Sequence, residues 1–337
     1  MPADQTALNL LLSDADWLVH RYDDTQDAFQ FRQVSWPRRA ETPFLSDENL
    51  AQVGEARSLA ADDIALAQIS QSPLHFIFHS AFCASTLLTK ALSDGGVSTL
   101  SEPQVLNDLI GAVRRGRSGP DVARRLDQGL ALLARPMTGT DAVVVKPSNL
   151  VNHLARAILT LRPESRAILL YAPLPIFLTS VARKGLWCRL WVRELLEYQI
   201  DLGMINFGFT AKDYLRMSDL QVAALGWLVQ HQLFQSLKSG PLAARVLMID
   251  SERLTQHPEE VLPRLCQHLV PNMDGTHIEA VLKSRALTQH SKFGHDFSPQ
   301  ERLLEQEQAQ SAHADEIEKV TLWAHEVARS AGVDVTL

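Results

Sequence analysis

The sequence predicts an α/β fold: a three-layer sandwich with a central parallel sheet, an N-terminal extension and a helical C-terminal part. Three observations predict it. Short runs such as Val143-Val144-Val145 and Ile168-Leu169-Leu170 are apolar at successive positions, as strands buried on both faces are. From residue 74 onward such runs alternate with helical segments, the pattern of a parallel sheet covered on both sides. One of them, His75-Phe76-Ile77-Phe78, passes through a short turn at 79–84 into a helix opening at Ser85-Thr86.

Composition narrows the class. A chain of 337 residues can bury one large core or two modest ones, and 46% hydrophobic with 21% charged residues is a globular balance. A formal net charge of −7 argues against bulk binding to nucleic acid or an anionic membrane. Cys83, Cys188 and Cys266 are odd in number and far apart, with no CxxC, so neither a disulfide framework nor a structural metal is expected. No basic segment precedes an apolar run near Asp4, and no apolar stretch approaches a membrane span. The expected location is the cytoplasm.

Residues 1–70 are expected to be an elaboration packed on a main domain of 71–337. Trp17 to Tyr22 and Ala28 to Val34 predict two strands around a polar turn. Residues 37–43 are expected as a loop. Residues 47–69 are expected as a helix, with Leu50, Val53, Leu59, Leu66 and Ile69 on a broken apolar face. In the main domain, 97–100, 142–146, 166–171 and 245–250 predict strands, and 119–135 and 149–161 predict helices. Helices are also expected from Pro103, Pro173 and Pro258; the last has Glu259 and Glu260 at its positive end. Residues 187–240 read as mostly helical, with Leu220, Ala224, Trp227, Leu228 and Phe234 as a core stripe. Residues 290–302 carry His290, Lys292 and His295 and read either as a lid or as a solvated loop; 300–330 close as helix.

In open parallel sheets ligands bind outside the carboxyl ends of the strands. That rule gathers the turn after Phe78, Ser101-Glu102-Pro103, Lys146 to Asn149 and Tyr171 to Pro175 around one crevice. A helix N-terminus presents unpaired N–H groups and partial positive charge, so the entry at Ser85 and Thr86 suits a phosphate or similar anion. An ordinary strand–helix turn capped by Ser85 is the alternative. There is no GxxxxGK(S/T) and no lysine between Leu74 and Thr89, which points away from phosphoryl transfer with magnesium. Cys83 reads as a packed residue or a helix-activated thiol, and His79 as a satisfied histidine.

The order of these pieces resembles one family. A strand, a loop and a Ser-Thr-Leu-Leu helix come first; Ser-Glu-Pro follows the second strand and Val-Val-Val-Lys ends the third. Met248 to Leu262 then has the form of a family segment. Over roughly residues 74–300 this is similar to the sulfotransferases, which use 3′-phosphoadenosine 5′-phosphosulfate (PAPS) on a P-loop-type α/β fold. The resemblance implies a donor loop through Phe82, Cys83, Ala84, Ser85, Thr86 and Leu87, with Phe82 where the family has a cation and Ala84 where it has glycine. It implies Glu102 as catalytic base and Lys146 near the transferred group, although either can be read as an ordinary helix-start or strand-end charge. Ser148 stands where the small-molecule branch has histidine. Tyr171 and Thr179 stand at the 3′-phosphate arginine and serine, and Lys292 in the basic closing loop. The implied donor is PAPS, without a metal, and the acceptor a hydroxyl or amine of a small molecule or carbohydrate. The alternative is a degenerate P-loop-like protein that binds another nucleotide or a protein partner.

Overall fold

A computed structural model describes residues 5–50, 52–65, 68–137, 142–287 and 299–335. The chain begins with α1 (Gln5–Ser13), β1 (Trp17–Asp23), β2 (Ala28–Gln33), α2 (Trp36–Glu41), α3 (Asp47–Leu50), β3 (Ala56–Ala60) and α4 (Ala61–Ala65). The three strands form an antiparallel sheet in chain order.

Two expectations are corrected here. Residues 37–43 are not simply a loop: α2 occupies most of them, and Pro37 sits in its first turn, where a missing N–H loses no helical bond. Residues 47–69 are not one helix but α3, β3 and α4. Gly54 turns the chain at φ +66°, and β3 then pairs with β2, setting buried Leu59 opposite Phe29. Pairing with a waiting strand overrides a composition that a helix would also accept.

The main body runs β4 (Leu74–His79), α5 (Ser85–Asp94), β5 (Ser98–Ser101), α6 (Gln104–Arg114), α7 (Gly119–Leu133) and β6 (Val143–Lys146). A 3-10 turn (Asn149–Leu154), α8 (Ala155–Leu161), β7 (Ala167–Tyr171) and α9 (Leu174–Arg183) follow. Then come α10 (Leu186–Asp201), α11 (Ala211–Arg216), α12 (Asp219–Ser239) and β8 (Val246–Asp250). The chain closes with α13 (Ser251–Gln256), α14 (Pro258–Leu269), α15 (Gly275–Leu282) and α16 (Pro299–Ser330). The short α13 is unanticipated; Asp250 caps it by accepting the Glu252 N–H at 2.7 Å.

The five main-body strands form one parallel sheet, ordered β5-β6-β4-β7-β8. Every residue of β4, β6 and β7 is buried, so both faces are covered, as in a three-layer α/β sandwich. From β4 the chain goes to the β5 edge and comes back to β6. It then crosses to β7 on the other side of β4. The connections therefore diverge at the carboxyl end of β4, the switch point where a crevice opens.

One continuous core includes Trp17, Phe29 and Phe31 as well as Phe76, Phe78 and Phe177. The small sheet is tied to the body by Arg21, which donates to Asp108 of α6 at 2.7 Å, and by Arg125 of α7, which pairs with Asp27. No described helix is long and apolar enough to cross a membrane.

Two buried histidines make the fold acid-sensitive. His75 accepts the Arg166 N–H at 3.1 Å through Nδ1, and His231 stacks on Trp227 with centroids 4.5 Å apart. Burial pushes each ring down to about 4 from the ordinary 6.5. The unfolded chain thus takes up these protons first as pH falls, so the stability they confer is complete above about pH 6.5 and is lost on the way to pH 4. The expected loss is about 3 kcal/mol per ring. Denaturation midpoints measured from pH 7 to 4.5 should fall accordingly, and less steeply in His231→Phe, which keeps a ring but does not titrate.

Candidate functional site

The turn from β4 into α5 is built from residues that dislike its shape. Ala81, Phe82 and Ala84 have φ of +70°, +51° and +59°, in the left-handed region. For a residue with a Cβ that costs about 1 kcal/mol or more. The surroundings hold it there. The Ser80 N–H donates to Leu170 O (3.0 Å), and the Ala172 N–H donates to Ser80 Oγ (3.1 Å). The Ala81 N–H donates to His79 Nδ1 (3.1 Å), and Asn152 Nδ2 donates to His79 O (2.9 Å). Ser85 is not the cap of α5: Ala84 occupies that position and has no side-chain acceptor for the first N–H groups. N–H groups in the first turn of a helix are the kind of donor that suits an anion.

The loop forms one wall of a cavity of about 430 Å³, lined by Ala81, Phe82, Cys83, Ala84, Ser85 and Thr86. Across from it stand His79, Glu102, Asn107, Ser148, Asn149 and Leu150, with Phe44, Trp187 and Trp191 completing the lining. Glu102 follows β5 at φ +50°, its N–H donating to Lys146 O at 2.6 Å. The register pairs Ser101 with Lys146, which brings Glu102 alongside the lysine. Lys146 Nζ donates to Glu102 Oε1, and His79 Nε2 lies 3.8 Å from the same oxygen. Because His79 Nδ1 accepts a backbone N–H, the proton of the neutral ring sits on Nε2, facing Glu102.

Lys146 is fully buried and does not line the cavity; its ammonium lies 5.1 Å from the centroid of Phe44. Among the described residues, no lysine or arginine lines the cavity. Asn149 is 9% exposed and its Nδ2 has no hydrogen-bond partner, an unusual state for a buried amide and one that invites an acceptor atom from a ligand. Ser148 Oγ donates to Asn107 Oδ1 at 2.5 Å, which leaves the Asn107 N–H groups as further donors. Cys83 is wholly buried, and burial pushes its thiol up to about 11 despite nearby Lys146, which favours a packed residue over a helix-activated thiol.

The structure thus gathers Phe82, Cys83, Ala84, Ser85, Thr86 and Glu102 on one cavity, with Lys146 behind Glu102. Leu87 is buried in α5 and does not line it. Neither do Tyr171 or Thr179. Tyr171 packs edge-on to His231, with ring centroids 5.4 Å apart, and burial raises its phenol. Thr179 donates to Pro175 O within α9 at 2.8 Å. Lys292, His290 and His295 lie outside the described residues. Sequence reasoning missed Phe44, Asn107, Trp187 and Trp191 and set His79 aside. Of these, only His79 carried a local signal, as the residue that ends β4 and enters the loop.

The sequence matches no protein-family model, and no curated protein matches it. Among solved structures, the chain is similar to a sulfotransferase from Mycobacterium avium at 10% identity and TM-score 0.44, over 77% of this chain and 79% of that one. It is similar to the sulfotransferase domain of the Synechococcus olefin synthase at 15% identity and TM-score 0.38, over 79% and 97%. A sulfotransferase from Mycobacterium tuberculosis is similar at 11% identity and TM-score 0.40, over 74% and 77%.

Two stability tests address this geometry. Ala84→Gly removes the left-handed strain and should stabilise the protein by about 0.5–1 kcal/mol in urea denaturation, whereas Ala84→Val should destabilise it. Glu102→Gln leaves a fully buried ammonium without its carboxylate and should cost about 3 kcal/mol or more. Lys146→Met leaves a carboxylate that is 24% exposed to water and should cost less. Equal losses in the two variants would contradict the burial asymmetry.

Proposed function

We propose that this protein transfers a sulfonyl group from a PAPS-type donor to a hydroxyl or amine of a small molecule or sugar. What carries this conclusion is the meeting, in one cavity, of a left-handed loop ahead of an uncapped helix N-terminus with a carboxylate anchored on one oxygen. The order of sequence elements adds the family resemblance.

The residues fit the two ends of such a donor unequally. At the 5′ end, the first N–H groups of α5, the Ser85 and Thr86 hydroxyls and the unsatisfied Asn149 amide are donors suited to a phosphosulfate. At the 3′ end, Tyr171 and Thr179 do not fit a phosphate-binding role, since neither reaches the cavity. When bound, the donor supplies an electrophilic sulfur and a phosphate leaving group. The chain supplies the rest. Among the described residues, the Lys146 and His79 contacts of the Glu102 carboxylate both fall on Oε1, so Oε2 would take the acceptor's proton as its oxygen or nitrogen bonds to sulfur. Lys146 anchors the carboxylate. The amides of α5 would stabilise the negative charge that develops on the leaving phosphate.

Adenosine 3′,5′-bisphosphate is expected to raise the melting temperature; at 100 times its dissociation constant the gain is about 2.7 kcal/mol. With PAPS and a panel of phenols, amines and sugars, Glu102→Gln should keep bisphosphate binding and lose about 10²- to 10⁴-fold in transfer rate. Stabilisation by other nucleotides but not by millimolar bisphosphate would favour the degenerate, non-transferring alternative.

A further inference from the structure

We infer that the acceptor is an amphipathic molecule whose hydroxyl or amine enters the cavity while an extended apolar body lies across Trp187 and Leu190 on the outer surface of α10. This rests on the cavity being the transfer site proposed above. The cavity is divided in its chemistry. Ser85, Thr86, Glu102, Asn107, Ser148 and Asn149 supply polar groups, whereas Phe82, Leu150, Trp187 and Trp191 give it an apolar wall. Phe82 and Trp191 tie that wall together, their rings meeting edge to face with centroids 5.5 Å apart. The side chains of this wall offer a ligand apolar surface and two indole N–H groups.

The apolar surface does not stop at the cavity. Leu186 and Leu190, and likewise Trp187 and Trp191, stand one helical turn apart at the start of α10, so the two pairs form adjacent rows on one side of the helix. The inner row, Trp187 and Trp191, lines the cavity; the outer row, Leu186 and Leu190, does not. Leu186 is 72% and Leu190 52% exposed. Neither is needed to seat the helix, because Cys188, Val192, Leu195 and Leu196 are buried on its other side. A surface helix needs one apolar face; the start of α10 has a second, turned to water. The following turn presents exposed Glu194 and Glu197, so the outward apolar rows are confined to the stretch beside the cavity.

Size and chemistry select the occupant. The four side chains of the two rows are far fewer than the roughly 20–30 residues that a stable protein interface uses on each partner. A sugar needs hydrogen-bond partners around its ring, and this wall supplies few. An alkyl chain or fused ring needs only contact area, which the indoles and leucines provide. A molecule with its nucleophilic end at Glu102 and its body against Trp187 buries that indole and continues over Leu190. Trp187 is thereby a specificity-determining residue, at the point where the cavity wall becomes the outer surface of α10.

The test is titration calorimetry of the full chain with straight-chain primary alkanols from pentanol to nonanol and with methyl glucoside; it needs no sulfonyl donor. Affinity for the alkanols should rise about twofold to fourfold per methylene, with a negative heat-capacity change. Trp187→Ser should flatten that rise, and Trp187→Phe should keep most of it. Leu190→Ser, outside the cavity, should weaken nonanol severalfold and leave pentanol unchanged. Both side chains face water, so the melting temperatures of these variants should stay near that of the wild type. Affinity independent of chain length, a slope unchanged in Trp187→Ser, or methyl glucoside binding more tightly than nonanol overturns the inference. So does a wild-type dimer in sedimentation that Leu190→Ser turns into monomer, since the outer row then belongs to a second copy. In each of these cases the proposed transfer stands if adenosine 3′,5′-bisphosphate binds and PAPS supports transfer. If the bisphosphate neither binds nor PAPS supports transfer while the chain-length rise persists, the proposed transfer is overturned, and with it the acceptor role, leaving a site for amphipathic molecules.

Discussion

Everything at the cavity depends on a backbone turn held against its own preference. Three residues with side chains adopt left-handed conformations between β4 and α5, where glycine would be at ease. The turn persists because its ends are fixed: Ser80 is bonded to Leu170 and Ala172 at the end of β7, and His79 is bonded to Ala81 and Asn152. Sheet order makes this possible, since β7 lies next to β4. The same bonds serve two purposes. They offset the strain, and they orient His79 so that Nε2 faces Glu102. A loop shaped by its neighbours in this way is rigid before any ligand arrives, which lowers the entropy lost on binding.

The sequence was most informative where one element carried its own signal. Buried strands declared themselves by unbroken apolar runs, and the start of α5 fell at Ser85 as expected. Glu102 and Lys146 were legible because each sits at the carboxyl end of a strand, a place that a parallel sheet makes special. What escaped notice was whatever depends on two distant segments meeting. Phe44 reaches the cavity because Leu45 exchanges backbone bonds with Ser101 and Gln104, a pairing without local trace. The N-terminal extension therefore contributes to the cavity, for which nothing in residues 1–70 had argued. Trp187 and Trp191 are spaced like core residues, yet Trp187 is 60% exposed at the cavity rim. Aromatic spacing along a helix tells which residues share a face, not whether that face meets a core or a ligand.

Strand position put Lys146 at the end of β6 and suggested a contact with ligand; in the structure it is buried against Glu102. That change resolves an electrostatic difficulty. An ionised carboxylate beside an anion-binding loop should repel what the loop attracts. Two unit charges about 6 Å apart at an effective dielectric constant of 20 repel by about 3 kcal/mol, comparable to one good charge-assisted bond. With Lys146 on its inner oxygen, Glu102 presents the field of an ion pair, which falls off faster than that of a bare charge. Under the proposed function the carboxylate could then share a cavity with an anion. Buried ion pairs are weak sources of stability, and a hydrophobic replacement is often as good. Under the proposed function the pair has another reason to exist: it would let a proton acceptor and an anion occupy the same 430 Å³.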